Sequence, residues 1–166
     1  MRRSKGFTII ELLLTITVIV ILAAVAVYPS FEVLPRAQDT ERLNDIASIA
    51  RRLEQAYTAQ EVGAPAYPTA TKLIADISTK SGTVARLDTE ALKAPGATTS
   101  SIVAATSESL SAPKGTGSPV LNEYVYQPLT SANVLCTGTA TCVRFFLYYR
   151  TEETSAVKII KSIHQQ

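Results

Sequence analysis

The sequence predicts an α+β protein: a long N-terminal α-helix, transmembrane in its first half and amphipathic in its second, packed on a small C-terminal antiparallel β-sheet. Three observations predict it. From Phe7 to Tyr28 the chain is apolar, with Glu11 as its one ionisable side chain and no Gly or Pro. Leu43, Ile46, Ala50, Leu53 and Tyr57 then recur at helical spacing, with Asp39, Arg42, Asp45, Arg52 and Glu54 mostly on other faces. From Cys142 to Arg150 the pattern changes to alternation, the mark of a strand with one buried face.

The apolar segment comes first. A helix of about 22 residues at ~1.5 Å each is ~33 Å long, enough to cross a hydrocarbon core of ~30 Å. Residues 7–28 therefore read as a membrane span. Arg2, Arg3 and Lys5 precede it without an acidic neighbour. By the positive-inside rule they hold the N-terminus in the cytoplasm and send the rest of the chain outward. Glu11 is the anomaly, because a charge inside such a span costs roughly 2.5–3.5 kcal/mol on insertion scales. It either reaches water at the headgroups or needs a cation in lipid. A cut between Gly6 and Phe7 creates that cation, since a free α-amine titrates near ~8 and is charged at neutral pH.

These residues resemble the class III signal of type IV prepilins and pseudopilins: a short basic leader ending in Gly6, then Phe7-Thr8-x-x-Glu11, then an apolar helix. The resemblance implies the pilin fold and cleavage after Gly6 by a prepilin peptidase. It implies N-methylation of Phe7, and pairing of Glu11 with the Phe7 amine of a neighbouring subunit in a homo-oligomeric helical filament. It further implies a precursor in the cytoplasmic membrane, a pilus assembly machinery, and a mature form in an extracellular pilus serving adhesion, motility, DNA uptake or secretion. Two residues depart from the family's habit. Val20 stands where a mid-span Gly is common, and Pro29 lies one residue beyond the usual proline. Two other readings compete. A secretory signal peptide would be cut after Ala24-Val25-Ala26, although the apolar run is long for one and contains Glu11. A membrane-anchored binding module would keep its leader and never polymerise.

The rest of the chain follows in order, with expected segments 1–6 (leader), 7–28 (span), 29–63 (amphipathic helix) and 64–166 (extracytoplasmic domain). Pro29 and Pro35 each remove a backbone donor, so bends are expected there. The amphipathic helix runs to about Val62, with Gly63 and Pro65 as stop signals. Ala64–Thr69 is a turn region, and its Tyr67-Pro68 also resembles the pilins. Thr71–Thr79 reads as a short helix around Leu73, Ile74 and Ile77. Asp88 caps a helical turn that Pro95-Gly96 ends. Residues 95–119, dominated by Ser, Thr, Ala, Gly and Pro, read as surface loop, with Ile102-Val103 and Leu110 as its only anchors. Strands are expected at Asn122–Gln127 and Cys142–Arg150, with a turn at Glu152–Thr154 and a closing strand in Ala156–Ile163.

Cys136 and Cys142 are the only cysteines, and an even count in an exported domain reads as one disulfide. Such a staple suits a domain rich in Ser, Thr and Ala, whose core should be modest. In the pilin family a disulfide often closes a C-terminal region, and the loop here is shorter than many of those.

Catalytic and cofactor chemistry is not legible. There is no phosphate-cradling Gly-rich loop, no H-E-x-x-H, and one His, His164, expected to be solvated near a frayed terminus. Two thiols and one His cannot fill a structural zinc site. No paired acid and base emerge, so no enzyme, cofactor or metal is expected. The net charge of +2 loses three positive charges with Arg2, Arg3 and Lys5, leaving −1 and no basic stripe for nucleic acid.

Overall fold

The computed structural model describes residues 6–27, 30–60 and 65–164. The leader's Arg2, Arg3 and Lys5, the Tyr28-Pro29 junction and the helix stop expected at Gly63 lie outside the described residues. The chain divides into two units, residues 1–37 and 38–166.

In the first unit, α1 spans Ile9–Val27, 19 residues. It is shorter than the segment 7–28, and Thr8 supplies the reason. The Thr8 carbonyl accepts from the Glu11 and Leu12 amides, both at 3.1 Å, while Thr8 Oγ1 also accepts from the Glu11 amide at 3.3 Å. Thr8 is thus the N-cap, and Gly6 and Phe7 precede the helix. At ~1.5 Å per residue α1 is about 28 Å long. Among the described residues no helix is long and apolar enough to cross a membrane. A second helix, α2, spans Ser30–Thr58 and continues through Pro35. The boundary between the units falls just after that proline, at Ala37.

The second unit begins on α2. This helix stops at Thr58 and not near Val62, because Gln60 takes a left-handed turn (φ 54°) and donates to the Tyr57 carbonyl at 3.2 Å. A left-handed stop is usually announced by Gly, so a glutamine in that role gives no sequence signal. The next helix, α3, spans Ala70–Thr79, capped by Thr69 Oγ1, which accepts from the Lys72 amide at 3.2 Å. Its C-cap, Lys80, is left-handed. Gly82 follows with φ 54°, and a Cβ there would collide with the Asp76 carboxylate, so this turn admits only glycine. Asp76 Oδ2 in turn accepts from the Thr83 amide at 3.1 Å. The short 3₁₀ turn Glu90–Leu92 has Thr89 and not Asp88 at its N-cap, while Asp88 Oδ1, one residue earlier, accepts from the Glu90 amide at 3.1 Å.

Four strands form one sheet in chain order: β1 Ile102–Ala104, β2 Tyr124–Leu129, β3 Arg144–Arg150 and β4 Val157–Lys161. The sheet is mixed, not antiparallel as expected, because β1 pairs parallel with β2. The other two pairings are antiparallel. β1 lies inside the stretch 95–119 that reads as loop. It is only three residues long, and its pairing is extended by the Tyr124 amide to Ser101 (2.8 Å) and the Ala105 amide to Tyr126 (2.9 Å).

One face of the sheet, with Tyr124, Tyr126, Phe145, Leu147 and Tyr149, forms the main core with Ile46, Ile49, Leu53 and Tyr57 of α2 and Leu73 of α3. One buried face was expected for β3, with a semi-polar face opposite. Instead Val125, Leu129, Phe146 and Tyr148 make a second cluster with Ala105, and the five inner residues of β3 are buried. Gln127, fully buried, explains how. Its Nε2 donates to the carbonyls of Ser107 (2.7 Å) and Ser109 (3.2 Å), and its Oε1 accepts from Tyr148 Oη at 2.7 Å. The Ser-rich connection is held over the sheet through its own backbone, at roughly 1 kcal/mol net per hydrogen bond.

Two further ties complete the unit. Cys136 and Cys142 form a disulfide with Cα atoms 5.6 Å apart, in the β2–β3 connection. A staple closing so short a loop contributes roughly 2–3 kcal/mol in the chain-entropy account. The Tyr67 amide donates to the Cys142 carbonyl at 2.8 Å, drawing the segment before α3 onto the same spot. At the other end, Arg42 is buried and pairs with Asp39 (3.0 Å) and Glu152 (3.2 Å). Asp39 also accepts from the amides of Glu152 (2.7 Å) and Glu153 (3.1 Å), pinning the β3–β4 turn to α2.

Candidate functional site

The site is the segment Gly6–Glu11 together with the helix it starts. Gly6 and Phe7 lie outside regular structure, and Phe7 is 76% exposed. Gly6 has no left-handed φ, and a Cβ added there would meet nothing within 4 Å. Nothing in this fold requires a glycine at position 6.

Glu11 is exposed in the first turn of α1, three residues after the cap. Among the described residues no group donates to its carboxylate. Its own helix does favour it there, since unsatisfied amide dipoles stabilise an anion at an N-terminus by about 0.3–1 kcal/mol. Thr8-x-x-Glu11 has the spacing of a capping box, a signal legible in the sequence that the reading above did not use. The two hydroxyls further along are silent. Thr15 Oγ1 donates to the Leu12 carbonyl at 2.8 Å, and Thr17 Oγ1 donates to the carbonyls of Leu13 and Leu14, each at 2.9 Å. Past its first turn, every described side chain of α1 is thus either apolar or satisfied within the helix, as a nonaqueous environment demands. Its described large apolar side chains are all exposed, from Val18 at 45% to Ile9 at 85%. Among the described residues, Glu11 is the polar group of α1 whose side chain has no partner.

The remaining site residues lie in the second unit. Cys136 and Cys142 are both buried, and their bridge closes the loop expected of it. His164 contradicts the expectation of a solvated terminus. Its ring stacks on Tyr57 with centroids 4.4 Å apart, and its Nδ1 lies 2.8 Å from Glu54 Oε2. The same Glu54 accepts from Tyr67 Oη and from the Ile163 amide, each at 2.8 Å. This knot ties the end of the chain to α2 across 110 residues of sequence, a distance over which no local pattern speaks. Asp45 is a second group the sequence did not single out. Burial pushes its carboxyl up to about 6, against the hydrogen bond from Tyr124 Oη at 3.1 Å, with Glu41 and Asp88 adding to the rise. Among the described residues no cluster of three or more His, Cys, Asp or Glu could hold a metal ion.

Residues 1–27 match the family model described as the prokaryotic N-terminal methylation motif. No curated protein and no solved structure matches the chain.

Proposed function

We propose that this chain, which carries the class III signal of type IV pilins over residues 1–27, is a structural subunit of a type IV pilus-like filament. The motif marks a pilin- or pseudopilin-type precursor anchored in the membrane, and implies processing by a prepilin peptidase. In our reading the peptidase cuts between Gly6 and Phe7, the new Phe7 amine is methylated, and the chain polymerises with its second unit outward.

One observation carries the reading. An accessible Gly6-Phe7 bond stands just before a helix whose described large apolar side chains are all exposed. A peptidase needs its bond in extended, reachable chain. Fatty acyl chains, and then the helices of other copies, would remove α1 from water. Each buried apolar side chain is worth about 1.5–3 kcal/mol on leaving water. Leaving lipid for a helix bundle gains far less, so polar pairing decides docking. Glu11 of one subunit facing the Phe7 ammonium of its neighbour supplies that pairing and fixes axial register, which is the value of a buried ion pair more than net energy.

N-terminal sequencing and mass analysis of the protein from its native host test this. A methylated Phe7 start is expected. An intact Met1 would leave a membrane-anchored, non-polymerising binding module, and a Val27 start would leave a secreted domain.

A further inference from the structure

Four residues of α2 line a cavity of about 290 Å³ beside the main core: Ser48, Arg51, Arg52 and Gln55. Arg86 and Asp88, from the segment after α3, close the other side. Three guanidinium groups and one carboxylate therefore share one small concavity. Arg52 is 6% exposed and so largely withdrawn from water. Arg51 donates to Ser48 Oγ at 3.0 Å, a neutral partner. Among the described residues neither Arg51 nor Arg86 forms an ion pair. Asp88 is already engaged by the Glu90 amide at 3.1 Å. Arg51 and Arg86 thus set two guanidinium charges against the one carboxylate of Asp88.

We propose that this cavity binds an anionic monosaccharide unit, one sugar ring bearing a carboxylate or a phosphate. The charge excess and the forked geometry of guanidinium fit a planar or tetrahedral oxyanion held by paired donors. The remaining lining is what a polyol needs. Gln55 offers a donor and an acceptor, Ser48 a hydroxyl, and Asp88 a carboxylate oxygen for ring hydroxyls. Leu87 gives an apolar wall for the C–H face of a ring. The volume lies at the lower edge of the range for small-ligand sites, which is about 300–1,000 Å³, so it admits one ring and not a chain. This site uses none of the residues of the N-terminal segment and stands whether or not the chain polymerises.

The test is binding by isothermal calorimetry and by ¹⁵N chemical-shift mapping, on the full chain in nonionic detergent. Glucuronate, glucose 6-phosphate, glucose and inorganic phosphate are the probes. At least one of the two anionic sugars should bind at least tenfold more tightly than glucose, and that sugar more tightly than phosphate. Shifts should centre on Ser48–Gln55 and Arg86–Asp88. Tighter glucuronate marks a carboxylate source, and tighter glucose 6-phosphate a phosphate source. Arg51→Ala and Arg86→Ala, both at exposed positions, should each weaken binding about tenfold, and Lys158→Ala should leave it unchanged. Phosphate binding as tightly as glucose 6-phosphate, with glucuronate no better than glucose, would overturn the sugar assignment. So would equal affinity for all probes, no binding at all, or full affinity in the Arg51→Ala/Arg86→Ala variant.

Discussion

The helix α1 and the domain built on α2 solve opposite problems. α1 is the most apolar stretch of the chain and buries none of its large described side chains. The domain is far more polar, yet it covers both faces of its sheet and even holds Arg42, Gln127 and Asp76 out of water. Apolar content alone does not make a core. A single helix has nothing to close against, whereas a sheet with a helix on one side and a hydrogen-bonded strap on the other has two. The domain therefore closes its core within one chain, and the described part of α1 does not.

The largest effect should come from breaking α1 at its one charged point. Glu11→Ala should leave processed protein in the membrane with filaments reduced to a small fraction, counted by electron microscopy of sheared cells. Abundant filaments from that variant would refute the pairing role. Glu11→Ala should leave the melting of the domain unchanged, since the group is in the other unit.

The domain should break at its polar ties. Arg42→Ala leaves Asp39 without its cation beside two amides and should cost about 3–5 kcal/mol, read from urea unfolding. Replacing both cysteines by Ala should cost roughly 2–3 kcal/mol by the same measurement. Gln127→Ala should cost about 1–3 kcal/mol by stranding Tyr148 Oη and two strap carbonyls. Hydrogen exchange should then speed up in residues 105–113 while β3 amides stay protected. A uniform rise across the sheet would show that the strap is not a separate layer.

The smallest effect sharpens the picture through pH. The Asp45 carboxyl is raised to about 6 in the folded chain, above its ordinary value of 3.8. A raised acid favours the folded state below 3.8, and that advantage is lost as pH climbs through about 6. Asp45→Asn should therefore melt a few degrees higher than wild type at pH 7.5 and no higher at pH 3.5. Equal shifts at both pH values would rule out a charge effect.

How much of this was legible differs by region for the same reason. α1 declares itself in composition, and the segment Gly6–Glu11 in spacing. The face of α2 that meets the sheet, the short helix α3, the alternation in β3 and the disulfide were all readable from local pattern. What stayed hidden depends on partners far away in sequence. The strap is held by backbone carbonyls of Ser107 and Ser109, which composition does not report. β1 is too short to show a period, and its parallel pairing made the sheet mixed. His164 finds Tyr57 and Glu54 only once the chain has folded back. The cap at Thr8 was local and readable, but the apolar run on either side drew the helix start two residues too early.

That cap bears on maturation. Thr8 punctuates α1 on the C-terminal side of the proposed Gly6-Phe7 cut, so that bond falls in chain the helix does not use. On the proposed cleavage α1 keeps its cap, and removing the leader would change the charge at the tip without touching the hydrogen bonds that start the helix. Maturation would then be an electrical event on a finished scaffold: three basic side chains would leave, and one ammonium would appear at Phe7, two residues ahead of the first residue of the helix.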